Sequence, residues 1–125
     1  MYITQRVLAL LSLYVGLAHS FSWEIVTRTT GRLEFYDVNG TLTHAQDIAL
    51  EYIQKITYDP VYNRVLFADR HNIYSFKIAS KTIETLVTIR VNSFISSMTY
   101  DPATELLFWI EENDTIYSIS LKPGF

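Results

Sequence analysis

The chain contains no cysteine. This excludes a disulfide-stapled module but not secretion, because an oxidising compartment permits disulfides without requiring them. Strong charge of either sign is also missing. Ten Lys and Arg against thirteen Asp and Glu leave a net charge of −3, too little to imply nucleic acid or an anionic membrane as partner. There is no Gly-x-Ser-x-Gly elbow, no phosphate-binding glycine-rich loop and no His-Glu-x-x-His, so no catalytic motif is present. No segment sustains a helical period. What the chain does have is 49% apolar residues, nine Tyr and seven Phe over 125 residues. That suffices for one small core and suits strands better than helices.

The first 20 residues read as a secretory signal peptide. Arg6 supplies a short positive region, residues 7–17 are apolar, and Ala18 and Ser20 place small residues at the −3 and −1 positions of a cleavage site. The apolar stretch is too short to cross a bilayer as a helix, which takes about 20 residues. No later segment could span a membrane. Two glycosylation sequons, Asn39-Gly-Thr41 and Asn113-Asp-Thr115, fit an extracellular chain and fall where turns are expected.

The mature region repeats itself. Ile56-Thr-Tyr-Asp-Pro60, Val65-Leu-Phe-Ala-Asp69 and Asn72-Ile-Tyr-Ser75 are followed, 42 to 43 residues later, by Met98-Thr-Tyr-Asp-Pro102, Leu107-Phe-Trp-Ile-Glu111 and Thr115-Ile-Tyr-Ser118. A period of about 40–45 residues with four short strands per unit is the mark of a β-propeller blade. Strands are expected at 52–58, 64–68, 73–78 and 82–89 in the first full unit, and at 94–100, 106–110 and 116–121 in the second. A partial unit precedes them, with strands at 32–38 and 42–48 joined by an Asn39-Gly40 turn, and an earlier strand at 23–27. The apolar run 106–110 is expected to be buried on both faces. The fold class is therefore all-β: a partial β-propeller of about two and a half four-stranded antiparallel blades spanning residues 21–125.

These motifs resemble the YWTD repeats of low-density-lipoprotein-receptor class B propellers, over about residues 32–121. The resemblance implies that Leu66-Phe-Ala-Asp69 and Phe108-Trp-Ile-Glu111 close the second strands of their blades. It implies that Phe67 and Trp109 pack between blades, and that Asp69 and Glu111 accept hydrogen bonds joining neighbouring blades. Phe67 stands where Trp is usual, Ala68 and Ile110 replace Thr, and Glu111 replaces Asp. Family propellers have six blades, and this chain supplies fewer than half. It is then a truncated product, an incomplete gene, or a chain that completes its ring by self-association. The insect ommochrome-binding proteins look like distant relatives.

His44 and His71 are isolated and read as solvated loop residues rather than metal or catalytic groups. Asp59 and Asp101, each before Pro, read as turn caps. No cofactor, metal or catalytic residue is expected. Binding is expected at one loop face, carried by Arg70, His71, Asn92 and Glu112. The function expected is that of a secreted, non-enzymatic binding protein whose ligand is an extracellular protein or lipoprotein. The alternative is a soluble carrier of a small hydrophobic ligand such as an ommochrome pigment. N-terminal sequencing of secreted protein should find Phe21 first; secreted material that retains Met1 would refute the signal-peptide reading.

Overall fold

The computed structural model describes residues 5–8, 25–29, 31–49, 53–90 and 92–123. These form eleven strands and, among the described residues, no helix. They are β1 (Gln5–Leu8), β2 (Ile25–Thr29), β3 (Arg32–Tyr36), β4 (Leu42–Asp47), β5 (Lys55–Asp59), β6 (Arg64–Ala68), β7 (Asn72–Lys77), β8 (Thr82–Thr88), β9 (Ile95–Asp101), β10 (Leu106–Glu111) and β11 (Ile116–Ser120). All pairings are antiparallel between consecutive strands. They give two four-stranded sheets, β1–β4 and β5–β8, and one three-stranded sheet, β9–β11.

Every expected strand has a counterpart within a few residues. The expectations at positions 23, 24 and 52 lie outside the described residues, as do the apolar stretch of the expected signal peptide beyond Leu8 and its cleavage site. β1 falls inside that expected signal segment. It pairs with β2 from Gln5↔Arg28 to Leu8↔Ile25 and so gives the first sheet four strands.

Tight turns set the registers. Tyr-Asp-Pro ends both β5 and β9. In each turn a residue 42 positions apart, Asn63 or Glu105, takes a left-handed φ (51° and 58°). Asp59 Oδ1 accepts the amide of Val61 at 2.9 Å, and Asp101 Oδ1 that of Ala103 at 3.0 Å. Both acids therefore cap their turns as their place before Pro suggests. In the β3–β4 hairpin Gly40 has φ +80°, a conformation that glycine adopts without steric cost.

The sheets stack face to face, and two cores fill the gaps. The first joins Val26, Leu33 and Phe35 of the first sheet to Val65, Phe67 and Phe76 of the second. The second joins Leu66, Ala68 and Ile73 of the second sheet to Ile95, Tyr100, Leu107 and Trp109 of the third. β6 belongs to both. Its side chains alternate between the two cores, and all five of its residues are buried. β1 also lies against β5, and β5 against β9, so the first strands of the three sheets run side by side.

The stack explains one departure from the sequence reading. β10 was expected to be buried on both faces, yet only Leu107, Trp109 and Glu111 are buried while Phe108 and Ile110 are half-exposed. An apolar run reports what a strand could bury, not whether a neighbour covers it. Among the described residues nothing covers the outer face of the third sheet.

A paired substitution tests this stack. Leu66 is fully buried, and Leu66→Ala should cost about 2–5 kcal/mol in chemical denaturation. Phe108→Ala, at the equivalent position of the next repeat, should cost less although it removes a larger side chain. An equal or greater loss at Phe108 would mean that its face is covered.

Candidate functional site

The β6–β7 loop is shaped by the acid that ends the second-strand motif. Asp69 Oδ1 accepts the amides of His71 at 2.8 Å and Asn72 at 2.7 Å, and Oδ2 accepts the Tyr74 hydroxyl at 2.9 Å. The carboxylate thereby folds the loop over itself and leaves Arg70 exposed at its tip. These bonds stay within the second sheet.

The next repeat solves the same problem differently. The longer Glu111 turns back to accept Trp109 Nε1 at 3.1 Å. The loop is capped instead by Asn113, whose Oδ1 accepts the Thr115 amide at 3.1 Å. Aromatic packing is retained in both units. Phe67 stacks on Tyr74 with ring centroids 5.2 Å apart, and Trp109 on Tyr117 at 5.6 Å. Phe67 and Trp109 thus sit in the cores between sheets. The backbone tie between sheets runs elsewhere: the Ile95 amide donates to the Arg70 carbonyl at 3.1 Å.

That tie brings the β8–β9 connection against the β6–β7 loop. Phe94 lies 5.6 Å from the His71 ring, and the Arg70 guanidinium lies 5.4 Å from the Phe94 ring. The Glu112 amide donates to the Phe94 carbonyl at 2.9 Å, which draws in the β10–β11 loop. Between these loops opens a groove of about 420 Å3 lined by Arg90, Asn92, Ser93, Glu112 and Asn113. Of the four residues expected at this face, Asn92 and Glu112 share the groove, and Arg70 and His71 stand beside it on Phe94. Phe94 was not among the residues expected at this face. Arg90 Nη2 donates to the Tyr117 hydroxyl at 3.1 Å, which holds its guanidinium at the groove. A lone aromatic in a polar connection was the available signal for Phe94.

His71 is half-buried against Phe94, and His44 packs between Phe35 and Phe76, 5.9 Å and 6.4 Å from their ring centroids. Both act as packing groups more than as the solvated loop residues expected. Among the described residues no cluster of three or more His, Asp or Glu could hold a metal ion. Asn39, in the β3–β4 turn, and Asn113, at the groove, are both exposed. The groove offers guanidinium donors, a carboxylate, amides and a hydroxyl. Such a set can donate and accept hydrogen bonds at a polar surface. No protein-family model matches the chain, and no curated protein matches it.

Beneath the sheets' opposite end lies a buried ion pair. Arg64 Nε donates to Asp59 Oδ2 at 2.7 Å, with side-chain exposures of 7% and 0%. Burial, and then the Asp59 charge, holds the Tyr58 and Tyr100 hydroxyls well above the ordinary phenol range. Burial, and then the hydrogen bond to Asp69, pushes Tyr74 up to about 12. These phenols are neutral in the folded protein, whereas unfolded tyrosines ionise near pH 10. Their contribution is therefore complete below about pH 10 and is lost as pH rises toward 12. Denaturation midpoints measured from pH 8 to 12 should be level to about pH 10 and then fall. Constant stability to pH 12 would show that these hydroxyls are not held neutral by the fold.

Proposed function

We propose that the three sheets are blades of an incomplete YWTD-type β-propeller, and that the chain is an extracellular, non-enzymatic binding protein whose loop face takes a protein or lipoprotein surface. Three features support the propeller reading. The sheets share strand order, their first strands lie side by side, and equivalent residues of successive units pack in equivalent cores. A blade cannot bury both faces alone, so stacking neighbours is what such a unit requires.

The observation that carries the binding reading is the groove between the β8–β9 and β10–β11 loops. It is polar, it holds an arginine and a glutamate, and it lies on loops anchored to rigid strands. A carrier of an apolar pigment needs a concave, mostly apolar pocket with few polar groups. This lining favours the protein-binding reading over the carrier.

The test is capture of extracellular protein on the immobilised chain, followed by association kinetics with the captured partner. Arg90→Glu and Glu112→Arg should slow association about tenfold at low salt and less at high salt. Lys81→Glu, in the β7–β8 turn at the other end of the second sheet, should have little effect. Equal losses at both ends would remove the loop face as the binding site.

A further inference from the structure

Of the two sequons, Asn113-Asp-Thr115 stands at the groove of the loop face. Its hairpin uses the asparagine as a cap. The Asp114 amide donates to the Glu111 carbonyl at 2.9 Å, the Glu111 amide donates to the Thr115 carbonyl at 3.2 Å, and Asp114 takes a left-handed φ of 63°. Within this turn Asn113 Oδ1 accepts the Thr115 amide at 3.1 Å. The carboxamide oxygen is thereby fixed to the backbone. The nitrogen of the same planar amide, Nδ2, has two hydrogens to give and no acceptor among the described residues. Asn113 is exposed. Asn39-Gly-Thr41 is arranged otherwise. There Asp37 Oδ1 accepts the turn amides, that of Asn39 at 2.9 Å and that of Thr41 at 3.0 Å. Asn39 lies in the β3–β4 turn, the first sheet's counterpart of the β7–β8 turn, away from the groove.

The groove that Asn113 borders has a volume of about 420 Å3. Its charges balance. Arg90 stands against Glu112 in the lining, and Arg70 against Asp114 on the flanking loops. The Asn92 amide and the Ser93 hydroxyl add neutral donors and acceptors. Such a lining suits an uncharged ligand that carries hydroxyl and amide groups. An N-acetylated pyranose is a ligand of that kind, and one joined to Asn113 Nδ2 starts at the groove's own rim.

We propose that Asn113 is N-glycosylated, that the sugar nearest the protein lies in this groove, and that the glycan closes the loop face, so that only the glycan-free form presents it to a protein partner. In the modification Nδ2 attacks the anomeric carbon of an oligosaccharide carried on a lipid pyrophosphate. The bond from that carbon to the pyrophosphate oxygen breaks, and the lipid pyrophosphate leaves with the electron pair. Nδ2 gives up one of its two protons, and nothing is oxidised or reduced. The product is a bulky, solvated chain tethered to the rim of the groove. Closure of the face rests on the binding reading above; the site of attachment and the seat of the sugar do not. A glycan on Asn39 leaves the face open, because its turn is remote from the groove.

The test uses the full chain expressed in secreting eukaryotic cells, unaltered and as Thr115→Ala. That substitution removes the sequon but keeps the asparagine and the backbone amide it caps. Enzymatic deglycosylation in heavy-oxygen water, followed by peptide mass mapping, should mark Asn113 in the unaltered chain. Phenylglyoxal should label Arg90 several-fold more slowly in the glycan-bearing chain than in Thr115→Ala, with Arg32 of the first sheet labelled equally in both. Trimming the glycan to its first sugar should leave most of that protection. Association with the captured partner should be several-fold faster for Thr115→Ala than for the glycan-bearing chain, and Thr41→Ala, which empties only Asn39, should change nothing. An unmodified Asn113 in secreted chains would overturn the proposal, and an occupied Asn39 in the same chains would leave the extracellular reading standing. Chains retained in the cell with neither asparagine modified would overturn both. Equal labelling of Arg90 in the two forms would place the sugar outside the groove and overturn the proposal. Equal association of the two forms would overturn it alone if Arg90→Glu still slows binding, and together with the loop-face reading if it does not.

Discussion

Everything in this fold hangs on the burial of β6 from both sides. A five-residue strand has two faces, and Arg64-Val-Leu-Phe-Ala68 commits both of them. Val65 and Phe67 enter the core shared with the first sheet, and Leu66 and Ala68 the core shared with the third. The two cores are therefore coupled through one short backbone. A strand with one covered face gains about half of what this strand gains, since the stabilisation scales with apolar area removed from water.

The repeat was legible because it is written in several independent codes at once. Tyr-Asp-Pro marks the turn after the first strand, the apolar run marks the second strand, and Ile-Tyr-Ser marks the third. Their spacing admits few other pairings, and the paired strands follow it. What could not be read was anything that depends on a neighbour. The run Leu106–Ile110 looks more apolar than Arg64–Ala68, yet Arg64 is the buried residue of the pair and Leu106 is half-exposed. Arg64 goes inside because Asp59 awaits it, five residues back across a turn. The equivalent Asp101 has no arginine opposite it. It stays partly exposed, and hydrogen bonds from the Thr104 hydroxyl and then the Ala103 amide keep its carboxyl below the usual range.

The candidate site was half legible for the same reason. Loop polarity identified Arg70, His71, Asn92 and Glu112, because polar side chains at turns lie near the surface whatever the tertiary arrangement. Which loops meet is a tertiary fact. It is set here by two backbone hydrogen bonds, one through Arg70 and one through Phe94. A resemblance in sequence suggested that the acids Asp69 and Glu111 would carry such ties. They are spent within their own sheets, and the difference of one methylene between them decides how. Aspartate reaches the two amides of its own loop, while glutamate overshoots and returns to the indole of Trp109. The second loop then needs Asn113 as a substitute cap, which places an amide at the rim of the groove.

The N-terminal segment shows how one stretch of sequence can satisfy two physical demands. A signal peptide needs a basic start and a short apolar run, and an edge strand needs extended, apolar-rich residues with a partner. Gln5-Arg-Val-Leu8 holds the basic residue and the start of that apolar run, and it forms a strand. In the fold it is the first strand of its sheet and the neighbour of β5. Removal of residues 1–20 would therefore do more than shorten the chain. It would bare the first-strand edge of β2 and uncover β5 on the side where β1 lies. The first sheet would become three-stranded, with main-chain groups of β2 unpaired at its edge.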